Sequence, residues 1–490
     1  MILILIALII ALFAILSLGL AGMATIEYRL AILNGQNTQL SQIVQSGIDA
    51  AAKAIDDPMR PDLIDNPERF CSIEVAPPYL SPAGFGTGRF TVFSARVEEE
   101  QLRGIRFGLT RESAKLSLET VLEWENESAG RGAQALQNLP GMTSVVVDSI
   151  LDWIDADDDP RPQGAESDWY REAQKSYGAR NAPIIALEEL LLIRDVERAM
   201  IFGEDHQLTF GARQAGLRRS LLLPGGIVDP FAPLDLQLQH YNTQGPEAAA
   251  WQFLLTPYSA EKIVNPQNVV RVFLNESNVE FLESQLRLHQ LDEESIRFIL
   301  TWRQFNGNIG NPLDLLDAEI TMPPEQQLEQ QLAAQLPLSS GTTHWQTTSP
   351  FSCSDPIMYE RFLRLLDEAV TDSAIVVRGR INVNEAPRPV LEAVPELTPE
   401  IVSEIVQRRQ PGEPRQRHAV WLLAEGIVDT GMMRTLSRRL TTGGDVYRIQ
   451  VVGFFENRPA LHRAEVVLDA TVKPPRTVFY KDLTPLGFPE

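Results

Sequence analysis

The sequence predicts an α+β fold: a long N-terminal helix, a small antiparallel sheet built from both ends of the chain, and a large helical region inserted between those ends. Three observations predict it. An unbroken apolar run at the start continues as a helix-spaced pattern. Strand-like segments gather at 70–109 and again at 446–480. The long middle carries helical periodicity with recurring turn and cap signals.

The first 24 residues read MILILIALIIALFAILSLGLAGMA, with Ser17 the one polar side chain. At about 1.5 Å rise per residue, such a run crosses a hydrocarbon core of about 30 Å. Glu27, Tyr28 and Arg29 mark the polar boundary. A secretory signal peptide needs a basic lead and a shorter apolar stretch, and neither is found here, which favours a membrane anchor over 1–26. Leu30, Leu33, Leu40, Ile43, Ile48 and Ile55 then recur on helical spacing, and no proline precedes Pro58. One helix is therefore expected to leave the membrane as an amphipathic rod of roughly 30 further residues and lay an apolar stripe on the sheet.

The strands of that sheet are expected at 70–76, 89–98 and 104–109, with Gly84, Gly86 and Gly88 in the loop between the first two. The second group is a hairpin, 446–455 and 461–472, around Asn457, Arg458 and Pro459, followed by a short strand at 477–480.

Between the two groups lies a degenerate repeat. The clearest copy is RINVNEAPRPVLEAVPELTPEIVSEIVQRR at 380–409. An extended stretch leads to a short helix, a turn at Pro395, and a second helix with Thr398 as N-cap and Pro399 in its first position. An earlier copy runs from Lys115 through the turn Leu139-Pro140-Gly141-Met142-Thr143 to VVVDSILDWI, with Thr143 to Ile150 matching the spacing of Thr398 to Ile405. A weaker copy starts at Arg271, and its Ile299 again falls seven after Asp292. Segments 222–245 and 322–348, rich in Pro, Gly, Gln and Ser, read as linkers or exposed excursions.

The formal net charge is −22, from 65 acidic and 43 basic side chains. Such a balance disfavours nucleic acid, whose phosphates call for clustered Lys and Arg. It suits divalent cations, a basic partner surface, or solubility alone. The two cysteines, Cys71 and Cys353, are too few for a Cys-rich zinc site and can be one disulfide or two separate thiols. The six histidines are scattered, and no nucleotide-binding glycine loop, HExxH or Gly-x-Ser-x-Gly is present.

The chemically richest stretch is DWIDADDDPRPQGAESDWY at 152–170. Asp152, Asp155, Asp157, Asp158, Asp159, Glu166 and Asp168 place seven carboxylates on one helix end and its loop. Calcium takes six to eight oxygens in loose geometry, and crowded anions without a cation repel. The spacing is not that of an EF-hand. A solvated acidic loop and a hydrolytic carboxylate pair are the other readings. The helix-turn-helix copies also resemble helix-hairpin-helix modules, which hold DNA phosphates on turn amides. Here Asp148, Asp152 and Asp155 flank one turn and Glu396 sits in another, against that use.

Several segments together resemble the general secretion pathway protein K family, the large minor pseudopilins of type II secretion systems. They are GLTRESAKLSL at 108–118, LPGMT at 139–143, the acidic loop at 152–170, NAPIIALEELLLIRDV at 181–196, INVNEAPRPVLEAVPELT at 381–398, VYRIQVVGFF at 446–455 and VFYKDL at 478–483. The resemblance implies a pilin-like α/β domain interrupted by a helical domain. It implies a structural, non-enzymatic tip subunit of the pseudopilus that serves protein secretion across the outer membrane. The chain would cross the inner membrane once, with its bulk in the periplasm and other minor pseudopilins as partners. It also implies calcium, bound in the pseudopilin domain of the family, with the acids from Asp152 to Asp168 as the positions carried over.

The expected division is 1–26 membrane helix, 27–110 pilin-like helix extension and first strands, 111–235 first helical unit with the acidic loop, 236–350 additional helical and loop segment, 351–440 second helical unit, and 441–490 closing strands. Two departures stand out. The basic leader of the family is not seen ahead of Met1, so the start is truncated, numbered late, or unprocessed. Leu5 stands near the place where other pilins carry a glutamate. Residues 236–350 match the family poorly. The alternative functions are a membrane-tethered nucleic-acid receptor using the repeats and a metal-dependent hydrolase using the acidic loop.

Overall fold

The computed structural model describes residues 2–57, 62–75, 87–98, 101–203, 250–322, 345–455 and 461–486. Gly84 and Gly86, the stretch 222–245, most of 322–348 and the turn at 457–459 lie outside the described residues.

Helix α1 (Ile2–Ile55) runs unbroken for 54 residues, as a proline-free run rich in Leu, Ile and Ala allows. Every described residue up to Gly35 is exposed, and burial begins at Gln36. Leu30 and Leu33, expected on the packed stripe, therefore stand in the open, while Leu40, Ile43 and Ile48 are buried as expected. The helical spacing was right, but the sheet begins later than the stripe does.

That sheet has seven strands: β1 (Ile73–Glu74), β2 (Gly88–Glu98), β3 (Gln101–Arg106), β4 (Thr110–Arg111), β5 (Val446–Phe455), β6 (Leu461–Asp469) and β7 (Arg476–Asp482). The order is β1-β2-β5-β6-β7, with β3 on the far half of β2 and β4 continuing along β5, all antiparallel. Strands from the two chain ends meet where β2 pairs with β5. The expected strand at 70–76 shrinks to β1, because Asn66 caps a one-turn helix, Pro67–Phe70, just before it. The strand expected at 104–109 sits earlier, as β3. Central β5 is buried along nearly its whole length, whereas edge β7 is mostly exposed, which is why the first reads as a continuous apolar run.

Helix α1 packs on this sheet through Leu40, Ile43, Val44, Ile48, Ala51 and Ala54. Burying each of the larger four is worth about 1.5–3 kcal/mol. The approach is close enough to require glycine: a Cβ on Gly47 would lie 2.6 Å from Val451 Cγ1.

A second core spans the inserted region from Leu116 to Leu440. It holds helices α2 (Leu118–Glu127), α3 (Arg131–Gln137), α4 (Ser144–Ile154), α5 (Ser167–Glu172), α6 (Val279–Leu288), α7 (Glu293–Asn306), α8 (Pro356–Glu368), α9 (Arg388–Glu392) and α10 (Pro399–Arg408). The three repeat copies share the cap: Thr143, Asp292 and Thr398 each accept a hydrogen bond from the backbone N–H three residues on, at 3.3, 3.0 and 3.4 Å. Ile150, Ile299 and Ile405, seven residues past those caps, are fully buried. Each copy also closes on a two-residue parallel ladder that the sequence did not reveal. Leu116–Ser117 pairs with Leu255–Thr256, Val272–Phe273 with Ala369–Val370, and Ile381–Asn382 with Leu440–Thr441. The ends of the stretch expected as a linker, Glu319–Met322 and Trp345–Thr348, pair as an antiparallel ladder.

A buried charge network fastens the insertion to the sheet. Glu112, fully buried, accepts from Lys115 Nζ at 2.8 Å, from Arg448 Nε on β5 at 2.9 Å, and from Thr256 Oγ1. Arg448 also pairs with Glu465 on β6 at 2.8 Å. Cys71 packs against the helix–sheet core and Cys353 against the helical core, each as a free thiol.

Candidate metal centre

The acidic loop hangs from the end of α4, whose apolar face (Val147, Ile150, Leu151, Ile154) fixes it in the helical core. Asp152 is on the last turn of α4 and fully buried. Its carboxylate accepts both the Arg161 backbone N–H, at 3.2 Å, and the Arg161 guanidinium, at 2.8 Å. That bond folds the loop back on the helix. Gly164 completes the fold: a Cβ there would lie 1.8 Å from Asp152 Oδ2, so no larger residue fits beside the carboxylate. Asp148 holds the same turn by accepting the Gln163 N–H at 3.0 Å.

The folded loop delivers Glu166, only 3% exposed, to the N-terminus of α5 opposite Asp155 and Asp157. One carboxylate oxygen from each of Asp155, Asp157 and Glu166 lies within 4.8 Å of the others. Both Glu166 oxygens and Asp155 Oδ1 are buried and accept no hydrogen bond among the described residues. Asp155 Oδ2 is taken by Arg161 at 2.5 Å.

The other four acids take different places. Asp152 is saturated by Arg161. Asp158 accepts from Asn181 Nδ2 at 3.1 Å. Asp159 is exposed, and its backbone N–H caps Asp157 Oδ1 at 3.0 Å. Asp168 is exposed and pairs with Arg171 at 2.7 Å.

Burial pushes the Glu166 carboxyl up to about 8, reinforced by the negative charges of Asp152, Asp155, Asp158 and Asp157. Burial also raises Asp152 and Asp155, with Arg161 pulling both back down. The segment facing the loop braces it from outside. Trp153 Nε1 donates to Glu189 at 3.0 Å, and Arg194 donates to the carbonyls of Gln163 and Gly164 at 3.3 and 3.1 Å.

Residues 114–202, the span that holds α2 to α5 and this facing segment, match the family described as type II secretion system, protein K. Over that span the chain is similar to the type II secretion system protein K family. A comparison with curated proteins finds no match. Among solved structures, the chain is similar to one in the crystal structure of the GspK-GspI-GspJ complex of the enterotoxigenic Escherichia coli type 2 secretion system. That match has 10% identity and a TM-score of 0.33, covering 92% of this chain and 97% of the other.

The acidic cluster is part of the inserted helical body, since Trp153, Ile154, Ala165 and Tyr170 around it all belong to the helical core. The resemblance had attached calcium to the pilin-like part instead. Arg161 and Asn181 escaped the sequence reading. An arginine amid seven acids looks like a solvated counter-charge, and an asparagine downstream carries no charge signal at all.

A divalent cation fits what is present. Three carboxylates converge, one of them buried with both oxygens unsatisfied, and such oxygens are what calcium takes.

Proposed function

We propose that this chain is a structural, non-enzymatic minor pseudopilin. It spans the inner membrane once, holds its bulk in the periplasm, joins other minor pseudopilins at the pseudopilus tip, and is braced by calcium. The observation that carries the reading is α1. Its first half is apolar and exposed, and its second half packs on the sheet, so one continuous helix joins the anchor to the folded domain. Beyond the polar boundary at Glu27, Tyr28, Leu30, Ile32 and Leu33 are still exposed. Apolar side chains in that position call for neighbouring helices of the same kind.

Asp155, Asp157 and Glu166 would hold the cation. Its chemistry is charge neutralisation: it lets three crowded carboxylates stay ionised and ties the end of α4 to the start of α5. Asp152, Arg161 and Gly164 set the loop on which those ligands stand.

The test is isolation of the full chain from native membranes. Recovery in the alkali-resistant membrane fraction together with smaller pilin-like subunits, and loss of secreted protein on deletion, support the reading. Recovery alone, with secretion intact after deletion, contradicts it.

A further inference from the structure

We infer that Asn181 supplies a further, neutral oxygen ligand to the cation at this site, so that the metal joins the acidic loop to the segment facing it. The inference rests on the calcium reading above and concerns a residue outside the acidic run.

Three hydrogen bonds hold Asn181 against the end of α4 and the acidic loop. Its backbone N–H donates to the Trp153 carbonyl at 3.0 Å. Its Nδ2 donates to the Asp157 carbonyl at 2.7 Å and to Asp158 Oδ1 at 3.1 Å. The side-chain oxygen, Oδ1, is buried and accepts nothing among the described residues. Reversing the amide would turn its oxygen on the Asp157 carbonyl and the Asp158 carboxylate, all acceptors, so these two bonds settle the orientation. The backbone is held at φ 51, a left-handed conformation that asparagine tolerates better than most residues.

This arrangement places a buried, unsatisfied amide oxygen on a side chain clamped to Asp157, itself one of the three converging acids. A buried acceptor without a partner is costly unless something fills it. Calcium commonly mixes carboxylates with Asn carbonyl oxygens. A neutral ligand also suits a site where Glu166 already faces four other acids, since it adds coordination without adding repulsion.

The experiment replaces calcium with terbium in the full chain held in detergent, with Trp153 and Trp169 on either side of the loop as sensitisers. Emission lifetimes in light and heavy water count the waters left on the ion. The expected result is that Asn181→Ala binds terbium at least about tenfold more weakly and carries about one more water than the parent chain. Asn181→Asp keeps one oxygen in place but sets the other against the Asp157 carbonyl and Asp158, so it is expected to bind more weakly than the parent while keeping the parent water count. An unchanged water count in Asn181→Ala would overturn the inference. So would loss of binding in both variants, because Asn181 would then act through its N–H groups alone. If the parent chain binds neither terbium nor calcium, the calcium reading itself fails, and this inference goes with it.

Discussion

Replacing Glu166 by glutamine is expected to change stability in opposite senses with and without calcium. In the metal-free protein the Glu166 carboxyl is pushed from 4.5 to about 8, so at pH 7 it folds protonated although it is ionised in the unfolded chain. Folding must then take up a proton, at a cost of about 1.4 kcal/mol per pH unit above 4.5, or about 3 kcal/mol at pH 7. A carboxyl raised in the fold thus lowers stability as pH rises from about 4.5 to about 8. A glutamine side chain has nearly the same shape and no charge, so the Glu166→Gln variant escapes this cost and should be up to about 3 kcal/mol more stable in chelator. With calcium at about a hundred times its dissociation constant the parent chain gains about 2.7 kcal/mol, and the variant, one carboxylate poorer, gains much less. Denaturant unfolding at pH 7, with chelator and with calcium, reads both arms. If Glu166→Gln destabilises the metal-free protein, or if calcium stabilises both chains equally, the reasoning is wrong.

Three further outcomes follow from the same geometry. Gly164→Ala puts a methyl 1.8 Å from Asp152 Oδ2 and should lower stability by about 1–3 kcal/mol while weakening calcium binding, read by thermal melting and calorimetry. Glu112 would be raised by burial alone, but Arg448 and Lys115 outweigh burial and hold it down at about 2. This depressed carboxyl contributes stability above about pH 4.5 that is lost as pH falls toward 2, about 3 kcal/mol in all, and a flat stability profile over that window would contradict the network. Ile150→Ala and Ile405→Ala occupy equivalent places in two repeat copies and are both fully buried, so each should cost about 2–5 kcal/mol in denaturant unfolding.

Legibility in the sequence followed the range of the interactions. Helix α1 could be read because its apolar run and spacing are local signals, and the cap Thr398 because a cap is defined by its own next few residues. Strand β5 matched its expected span residue for residue. The two-residue parallel ladders could not be read, since two residues carry no period and Leu116 meets Leu255 far along the chain. The exposure of Leu30 and Leu33 was hidden for a related reason: spacing gives the side of a helix, not the point where a partner begins. At the metal centre the composition made seven acids look equivalent. The fold separates them, because Arg161 takes Asp152 and half of Asp155, Asn181 takes Asp158, Arg171 takes Asp168, and Asp159 is left exposed. Only a buried position after a glycine turn singles out Glu166, and burial is a property of the folded chain.

The most direct test of the central claim is site-specific crosslinking from α1 in native membranes. Photoreactive residues at Leu30 and Leu33, exposed just beyond the polar boundary, are predicted to capture the N-terminal helices of smaller pilin-like subunits. Capture of lipid alone, or of nothing, at both positions would contradict an assembly role for this helix.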